Sequence, residues 1–381
     1  SGNIDGTITF SKVGNLAGGT GTDSFALANA GTLTGNVAGG GGTTNTLDLS
    51  AKSGTVTINL QTAKATGLGG TFGGINDFVG NDAAASATTT LTGTNTGSTY
   101  NVLSANSGNI DGTITFSKVG NLAGGTGSDS FVLANAGTLT GNVAGGGGTT
   151  NTLDLSAKSG TVTINLQTSK ATGIGGTFGG INDFMGNDAA ASATTTLTGT
   201  NTGSTYNVLG ANSGNVDGTI TFSKVGNLTG GAGADKFVVA NAGSLSGSVD
   251  GGLTGVNTLD LNARSTADFG LASASSGTAS GVTGGYTNIT TLVGNNTSST
   301  LTGTSTGSTY SVNTANAGTV NDGAGTTTFS GVANLTGGTG SDSFVLANAG
   351  TLTGNVAGGG GTTNTLDLSA KTGTVTVSLQ T

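Results

Sequence analysis

The sequence lacks cysteine, proline, histidine and tryptophan, and all 18 of its acidic residues are aspartate. Without cysteine there are no disulfides and no thiolate chemistry. Without histidine, cysteine and glutamate, the common nucleophile–base pairs of enzymes cannot form. These absences favour a protein that is not an enzyme.

Basic residues and long apolar runs are also scarce. Arginine occurs once, at Arg264, and the net charge is −8. Nucleic acids and anionic membranes bind to basic surface patches, so we expect no nucleic acid partner. No run of 18 apolar residues exists, so we expect no membrane insertion in this segment. Ser1 lies directly within a repeat, which leads us to expect a segment of a longer protein.

Glycine is the residue in excess, with 76 of the 381 positions. Threonine, asparagine, serine and alanine fill most of the remainder, and all but alanine weaken helices through backbone entropy, β-branching or local hydrogen bonding. Disorder is the rival expectation for such a composition. However, 33% of the residues are hydrophobic, only 7% are charged, and the apolar residues recur at fixed positions. This combination favours many short strands joined by tight turns.

A repeat of 106 residues dominates the sequence. SGNIDGTITFSKVGNL begins at Ser1 and again at Ser107, and SGNVDGTITFSKVGNL begins at Ser213. A fourth, partial copy begins near Ala317. We therefore divide the chain into copies spanning residues 1–106, 107–212, 213–316 (the most divergent) and 317–381.

Within one copy, short segments alternate apolar and polar residues, as a half-buried strand does. In the segment Thr55–Leu60, for example, Val56, Ile58 and Leu60 share one face. Glycine and asparagine punctuate these segments in the manner of turns. In the first copy we predict strands at Ile8–Phe10, Ser24–Leu27, Thr32–Val37, Thr46–Leu49, Thr55–Leu60, Thr89–Thr92 and Tyr100–Leu103.

Two fainter subrepeats lie inside each copy. FSKVGNLAGG from Phe10 resembles FGGINDFVGN from Phe72, and GTDSFAL from Gly21 resembles TGSTYNVL from Thr96. No linker separates the copies, and the subrepeats are shorter than a sandwich domain. Both features favour one continuous stack of strands over a series of separate sandwich domains. We predict an all-β parallel β-solenoid (a β-helix or β-roll) without notable helices. Coils of roughly 18–25 residues, about five per copy, would rise ~4.8 Å each and give a rod on the order of 80–90 Å.

Differences between the first two copies suggest which positions face inward. Ala26 becomes Val132, Leu68 becomes Ile174 and Val79 becomes Met185, so an apolar residue is kept each time. We predict that these positions, the phenylalanines and the tyrosines face the core. The alternative for Tyr100, Tyr206 and Tyr310 is an exposed platform for carbohydrate. We expect Asp48, Asp154, Asp260 and Asp367 to lie in strands and face solvent.

Each copy carries one glycine–aspartate motif. GGTGTDSFA begins at Gly18, GGTGSDSFV at Gly124 and Gly337, and GGAGADKFV at Gly230. The motif resembles the nonapeptide repeats of RTX proteins, which form calcium-filled β-rolls. The wider sequence resembles the giant repetitive bacterial surface proteins of the RTX-like and filamentous-haemagglutinin-like adhesin type. This resemblance implies calcium as the candidate ion and, as its ligands, Asp23, Asp129, Asp235 and Asp342.

The chain departs from the RTX pattern in two ways. Each copy has one full motif rather than an array, and the next glycine run carries asparagine where family members often have aspartate. A neutral amide oxygen weakens a site for a hard cation. The alternative is that the four aspartates cap turns by accepting backbone N–H bonds. The asparagines in question are Asn45, Asn151, Asn257 and Asn364.

The sequence therefore favours a structural extracellular repeat protein: a rod or fibre serving as an adhesin shaft, sheath or matrix filament at the bacterial cell surface. Self-association into filaments or bundles fits the same pattern. A calcium-dependent RTX-type adhesin is the main alternative. An ice-binding solenoid is another, because threonine pairs such as Thr55 and Thr57 line strands. A polysaccharide-processing β-helix is a further alternative, but its acidic cluster would have to be local, and here the charges repeat with the copies.

Overall fold

A computed structural model describes residues 1–82, 88–188 and 194–378. The regular elements in these ranges are all β-strands, and no α-helix occurs among them. The all-β prediction is confirmed. The chain forms two compact units: Ser1–Ile164 with Thr168–Asn187, and Asn165–Gln167 with Asp188–Thr381. The boundary between the units lies inside the second copy of the repeat.

The described residues of the first copy, 1–82 and 88–106, form twelve short strands. Six of the seven predicted segments contain a strand, and Thr32–Val37 contains only the first residue of one. The strands are β1 (Gly2–Ile4), β2 (Ile8–Phe10), β3 (Leu16–Ala17), β4 (Ser24–Ala26), β5 (Val37–Ala38), β6 (Thr46–Asp48), β7 (Val56–Asn59), β8 (Lys64–Ala65), β9 (Phe72–Gly73), β10 (Asp77–Val79), β11 (Thr89–Thr92) and β12 (Thr99–Ser104).

The second copy repeats this order. Its strands are β13 (Ser107–Ile110), β14 (Ile114–Ser117), β15 (Asn121–Ala123), β16 (Ser130–Leu133), β17 (Val143–Ala144), β18 (Thr152–Asp154), β19 (Val162–Asn165), β20 (Lys170–Ala171), β21 (Phe178–Gly179), β22 (Asp183–Met185), β23 (Thr195–Thr198) and β24 (Thr205–Gly210).

The third and fourth copies keep the order through a more divergent sequence. Their strands are β25 (Ser213–Val216), β26 (Ile220–Ser223), β27 (Asn227–Thr229), β28 (Lys236–Val239), β29 (Val249–Asp250), β30 (Thr258–Asp260), β31 (Phe269–Ser273), β32 (Ser276–Ala279), β33 (Val282–Thr287), β34 (Thr291–Val293), β35 (Thr300–Thr302), β36 (Thr309–Thr314), β37 (Ala317–Asn321), β38 (Thr326–Ser330), β39 (Asn334–Thr336), β40 (Ser343–Leu346), β41 (Val356–Ala357) and β42 (Thr365–Asp367).

In the first unit the strands stack into two faces. Face A runs in the order β4–β6–β10–β14–β13–β12–β16–β18–β22. Face B runs β3–β5–β9 and then β8–β7–β11–β15–β17–β21. The two parts of face B meet where the Phe72 N–H donates to the Ala63 carbonyl at 2.9 Å. Phe72 of face B contacts Phe78 of face A edge-on at 5.1 Å, so side chains from both faces fill the space between them.

The second unit has the same two faces. Its face A runs β26–β25–β24–β28–β30–β34–β38–β37–β36–β40–β42. Its face B runs β23–β27–β29–β33–β32–β31–β35–β39–β41. Most of these pairs are parallel.

The parallel stack is interrupted by antiparallel meanders that the sequence analysis missed. On face A the chain enters at β12, turns back through β13, and reaches β14 beside the earlier strand β10. The turn between β13 and β14 contains Asp111 and Gly112, with φ of 53° and 68°. An Asp-Gly pair between alternating apolar residues is the strongest short-range signal for such a hairpin. The NIDGT string at residues 109–113 was therefore a readable signal.

Face B carries its own meanders, clearest at β31–β32–β33 of the second unit. In each meander the chain first moves ahead along the stack and leaves two strand positions empty. It then turns back, and its next two strands fill those positions. This happens on both faces. One consequence is that strand neighbours are often distant in sequence. The separation is 22 residues from Asp23 to Asn45 but 38 from Asp77 to Thr115.

This path corrects the predicted coil. Coils of 18–25 residues occur only where no meander intervenes, because a meander adds two strands to the stack before the chain moves on. We call each strand position along a face a level. From β4 to β16, one repeat of 106 residues, face A of the first unit advances six levels rather than the predicted five.

The pairing of strands on neighbouring levels confirms one of the two predicted subrepeats and contradicts the other. The Gly21 and Thr96 match is confirmed, since Tyr100 pairs directly with Phe131, the counterpart of Phe25. The match between Phe10 and Phe72 is wrong as a structural register. Phe116, the counterpart of Phe10, lies on face A opposite Phe78. Phe178, the counterpart of Phe72, lies on face B opposite Val143.

Burial confirms some of the predicted core positions and corrects others. Tyr100, Tyr206 and Tyr310 are fully buried, which rules them out as exposed carbohydrate platforms. Ile174 is buried as predicted. Ala26 is exposed, and Val132, Val79 and Met185 are only half-buried. The reason is strand alternation: on β16 the residues Phe131 and Leu133 point inward, which turns Val132 outward.

Candidate functional site

The glycine–aspartate motif forms a corner between the two faces. In the second copy, β15 of face B ends at Ala123, the motif residues Gly124–Asp129 turn the chain, and β16 of face A begins at Ser130. Glycine is required at the first position of the turn. A Cβ on Gly124 would lie 2.3 Å from Oδ2 of Asp129 and 2.3 Å from the Gly145 carbonyl oxygen.

Asp129 is 2% exposed, and both of its carboxylate oxygens accept backbone hydrogen bonds. Oδ1 accepts the N–H of Ser98, at the start of the preceding level, at 2.7 Å. Oδ2 accepts the N–H of Gly125, within the same turn, at 3.1 Å. The aspartate thus joins its own turn to the level before it.

The next two levels continue this arrangement with asparagine. Asp129 donates its N–H to Oδ1 of Asn151 at 2.9 Å, and Asn151 donates its N–H to Oδ1 of Asn182 at 2.8 Å. We call this run of side-chain oxygens accepting backbone N–H groups the Asx ladder. It ties Ser98, Asp129, Asn151 and Asn182 across four consecutive levels of face A.

The other copies repeat the ladder. In the second unit, Asp235 accepts from Ser204 at 2.7 Å and from Gly231 at 3.0 Å, and it donates to Asn257 at 2.9 Å. In the first copy, Asp23 accepts from Gly19 and donates to Asn45. Asp342 accepts from Ser308 and donates to Asn364, and its Oδ2 is buried without a hydrogen-bond partner.

Burial raises the pKa of two of these carboxyls, Asp129 and Asp235. It raises the pKa of Asp129 above the ordinary value of 3.8, against the N–H bonds from Ser98 and Gly125, which lower it. Burial raises the pKa of Asp235 in the same way, against the N–H bonds from Ser204 and Gly231. A nearby carboxylate, Asp111 for Asp129, adds a smaller repulsion in the same direction as burial.

The corner does not fit the calcium ion that the RTX resemblance implies. A calcium site needs six to eight oxygen ligands that face the ion. Around Asp129 and Asp235 the carboxylate oxygens instead face N–H donors, whose positive ends oppose a cation. Among the described residues, no group of three or more acidic side chains is placed to hold a metal. The four aspartates have the hydrogen bonds of a structural corner, and calcium binding stays a prediction.

At a second corner, a positively charged side chain of the protein donates hydrogen bonds to backbone carbonyls. This role was not predicted from the sequence. Lys158 is 8% exposed, and its Nζ donates to the carbonyls of Gly137 and, at 3.2 Å, Asn135 one level earlier. In the third copy Arg264 takes this place and donates to the Ala240 and Gly243 carbonyls at 2.9 and 2.6 Å. The set is Lys52, Lys158, Arg264 and Lys371, and each side chain reaches back to the turn before it.

The remaining aspartates are also committed to local bonds. Asp48, Asp154 and Asp260 lie at strand ends, half-buried, and each accepts a backbone N–H two residues later, as Asp367 does. Asp77 accepts the hydroxyls of Thr46 and Thr115 at 2.8 and 2.6 Å on the outer side of face A. Asp82 is buried and accepts the backbone N–H groups of Thr88 and Thr89.

Thr57, in the threonine pair named above for ice binding, lies in only a short threonine array. Thr57 pairs with Thr90 on the outer side of face B, but Asn121 occupies the next level. A flat threonine array over many levels therefore does not form at this position.

A comparison of the chain with family models, curated proteins and solved structures gives no match. Among the described residues, no helix has the length and apolar character needed to cross a membrane.

Proposed function

We propose that this chain is a parallel β-solenoid with inserted meanders, and that it serves as the structural shaft of an extracellular protein. The observation that carries the proposal is the repetition of identical cross-level contacts. Tyr100 stacks on Phe131 at 4.7 Å, Tyr206 on Phe237 at 4.6 Å and Tyr310 on Phe344 at 4.8 Å. Each level contacts mainly its neighbours, so stability accumulates along the stack, as in other repeat proteins.

The polar residues support a structural role over a catalytic one. Asp129 holds a corner, Lys158 holds a turn, and Asp77 bridges two threonines. Enzymes of the β-helix type need an acidic cluster in one place with room for substrate. Here the acidic residues are spread along the copies, and those that form the corners and strand ends accept hydrogen bonds from their own scaffold.

The bacterial cell surface is the location we propose. It rests on the resemblance of the four glycine–aspartate motifs to those of giant exported adhesins. Treating intact cells of the source organism with protease tests the location. Cleavage of the protein without cell lysis supports it, and complete protection would contradict it.

The solenoid itself is tested by fibre diffraction and electron microscopy on chains with added copies. Six levels of ~4.8 Å predict that each added 106-residue copy lengthens the particle by about 29 Å. Oriented samples should give a reflection near 4.8 Å along the particle axis. Separate beads joined by visible gaps, with no such axial reflection, would overturn the proposal.

A further inference from the structure

We propose that the glycine–aspartate corners of this chain are built to work without a metal ion, because asparagine amides make the contacts that an ion would make. This inference rests on the proposed structural function and deepens it. It assigns a role to Asn45, Asn151 and Asn257, three of the residues at which the sequence departs from the calcium-binding pattern.

The side chain of Asn151 bridges two glycine turns. Its Nδ2 donates to the Gly147 carbonyl in its own turn at 2.8 Å. It also donates to the Gly180 carbonyl, in the turn of the next level, at 2.9 Å. A cation between adjacent turns would draw the same kind of carbonyl oxygens together. The amide group, with two N–H donors, does so without an ion.

The oxygen of the same side chain completes the corner. Oδ1 of Asn151 accepts the N–H of Asp129 at 2.9 Å, so both donors and the acceptor of the amide are used. An aspartate at this position could accept that N–H bond but has no hydrogen to offer Gly147 and Gly180. Asparagine therefore fits the polarity of its surroundings, and a carboxylate does not.

Asp129 shows the same preference for N–H groups. Both of its oxygens face backbone donors, from Ser98 and Gly125. A calcium ion would have to displace those donors while the amide of Asn151 already holds the neighbouring carbonyls. At Asp23 the N–H bond is made to Oδ2, from Gly19, and at Asp342 Oδ2 is buried without a partner, so a measurement of ion stoichiometry must cover both corners.

The contact persists where the loop sequence changes. In the third copy the run GGGGTTN becomes GGLTGVN, which exposes Leu253 and Val256. Nδ2 of Asn257 still donates to a carbonyl of the following turn, that of Asn288, at 3.0 Å. The first copy has the same bond, from Asn45 to Gly74 at 3.0 Å.

The test compares the whole chain with Asn151→Asp. For the unaltered chain we expect no calcium binding by isothermal titration calorimetry and the same melting temperature in EDTA and in millimolar calcium. Asn151→Asp places a second carboxylate beside Asp129 and leaves the Gly147 and Gly180 carbonyls without their donor. We expect its melting temperature in EDTA to fall by roughly 2–4 °C or more. We expect calcium to restore it, with about one ion bound per chain.

Asn142→Asp is the matched control. Oδ1 of Asn142, like that of Asn151, accepts a backbone N–H from a neighbouring level, here that of Thr177 at 2.7 Å, but the donor is not an aspartate of the Asx ladder. This variant should show no calcium response. If Asn151→Asp fails to fold, the calcium titration and the melting temperatures of the unaltered chain still test the inference.

Calcium binding by the unaltered chain would overturn the inference, whether four ions or a single ion at Asp342. A calcium-dependent melting temperature would do the same. Neither result would affect the axial spacing and the length per copy that test the proposed solenoid, so the two proposals fail separately.

Discussion

Tyr100 lies flat against Phe131 on the next level of face A, with ring centroids 4.7 Å apart and ring planes 12° from parallel. The Tyr100 hydroxyl crosses the core and donates to the carbonyl of Ala123 on face B at 2.5 Å. One side chain therefore joins two levels and both faces. Because the hydroxyl is buried, the pKa of Tyr100 lies well above its usual range, and the group acts as a hydrogen-bond donor at any physiological pH.

Truncating this tyrosine should be among the most costly single changes in the first unit. For Tyr100→Ala we expect a loss of about 3–5 kcal/mol in the free energy of unfolding, because a large buried ring is replaced by a cavity. For Tyr100→Phe we expect only about 0.5–1.5 kcal/mol, since the Ala123 carbonyl keeps the N–H bond from Gly93. Urea unfolding measures both. A matched control is Leu103→Ala, at a side chain that is 52% exposed.

Removing the buried lysine should release the turn that it holds. For Lys158→Met we expect a loss of about 1–3 kcal/mol, because the carbonyls of Gly137 and Asn135 lose a charged donor. Lys158→Arg should keep most of the stability, since Arg264 in the third copy binds the carbonyl of Gly243, the counterpart of Gly137, and the nearby carbonyl of Ala240. Lys118→Met, at an exposed position, serves as the control in the same urea titrations. Equal losses for both methionine variants would contradict a clamping role.

The raised pKa values of Asp129 and Asp235 predict an unusual pH dependence. A carboxyl whose pKa is higher in the folded state binds its proton more tightly there than when unfolded. Its contribution to stability therefore increases as the pH falls through the folded pKa, and it is complete below the ordinary value of 3.8.

The double variant Asp129→Asn with Asp235→Asn removes both titrations. The unfolding free energy of the unaltered chain, minus that of the variant, should grow as the pH is lowered from neutral. Urea unfolding at a series of pH values measures this difference. A difference that shrinks on acidification would mean that the folded state favours the charged carboxylates.

The hairpin turn offers a test of backbone strain alone. Gly112 has φ of 68°, and a Cβ there would meet no atom within 4 Å. For Gly112→Ala we expect a loss of about 1–2 kcal/mol from the left-handed conformation. Gly179 has equally open surroundings but no positive φ, so Gly179→Ala should be neutral or stabilising by about 0.4–1 kcal/mol. Thermal unfolding of the pair separates backbone strain from steric contact.

The strand-rich class, the 106-residue repeat and six of the twelve strands described in the first copy could be predicted from the sequence alone. Composition excluded helices because glycine and β-branched residues disfavour them, and alternation identified segments such as Thr55–Leu60. It also marked the glycine–aspartate corner, since the glycine positions and the aspartate recur together. These are local properties, so the sequence pattern of short segments is enough to predict them.

Which levels are neighbours could not be predicted from the sequence and became clear from the three-dimensional fold. The Asp-Gly turn indicates the hairpin itself, but the local sequence pattern does not specify that the meander places Thr115 beside Asp77 and Tyr100 beside Phe131. The structure likewise decided that Val132 faces outward and that Asn151 bridges two turns. The physical reason is that such contacts join residues 22 to 38 positions apart. Their geometry depends on the order in which the chain fills the stack, which strand alternation alone leaves open.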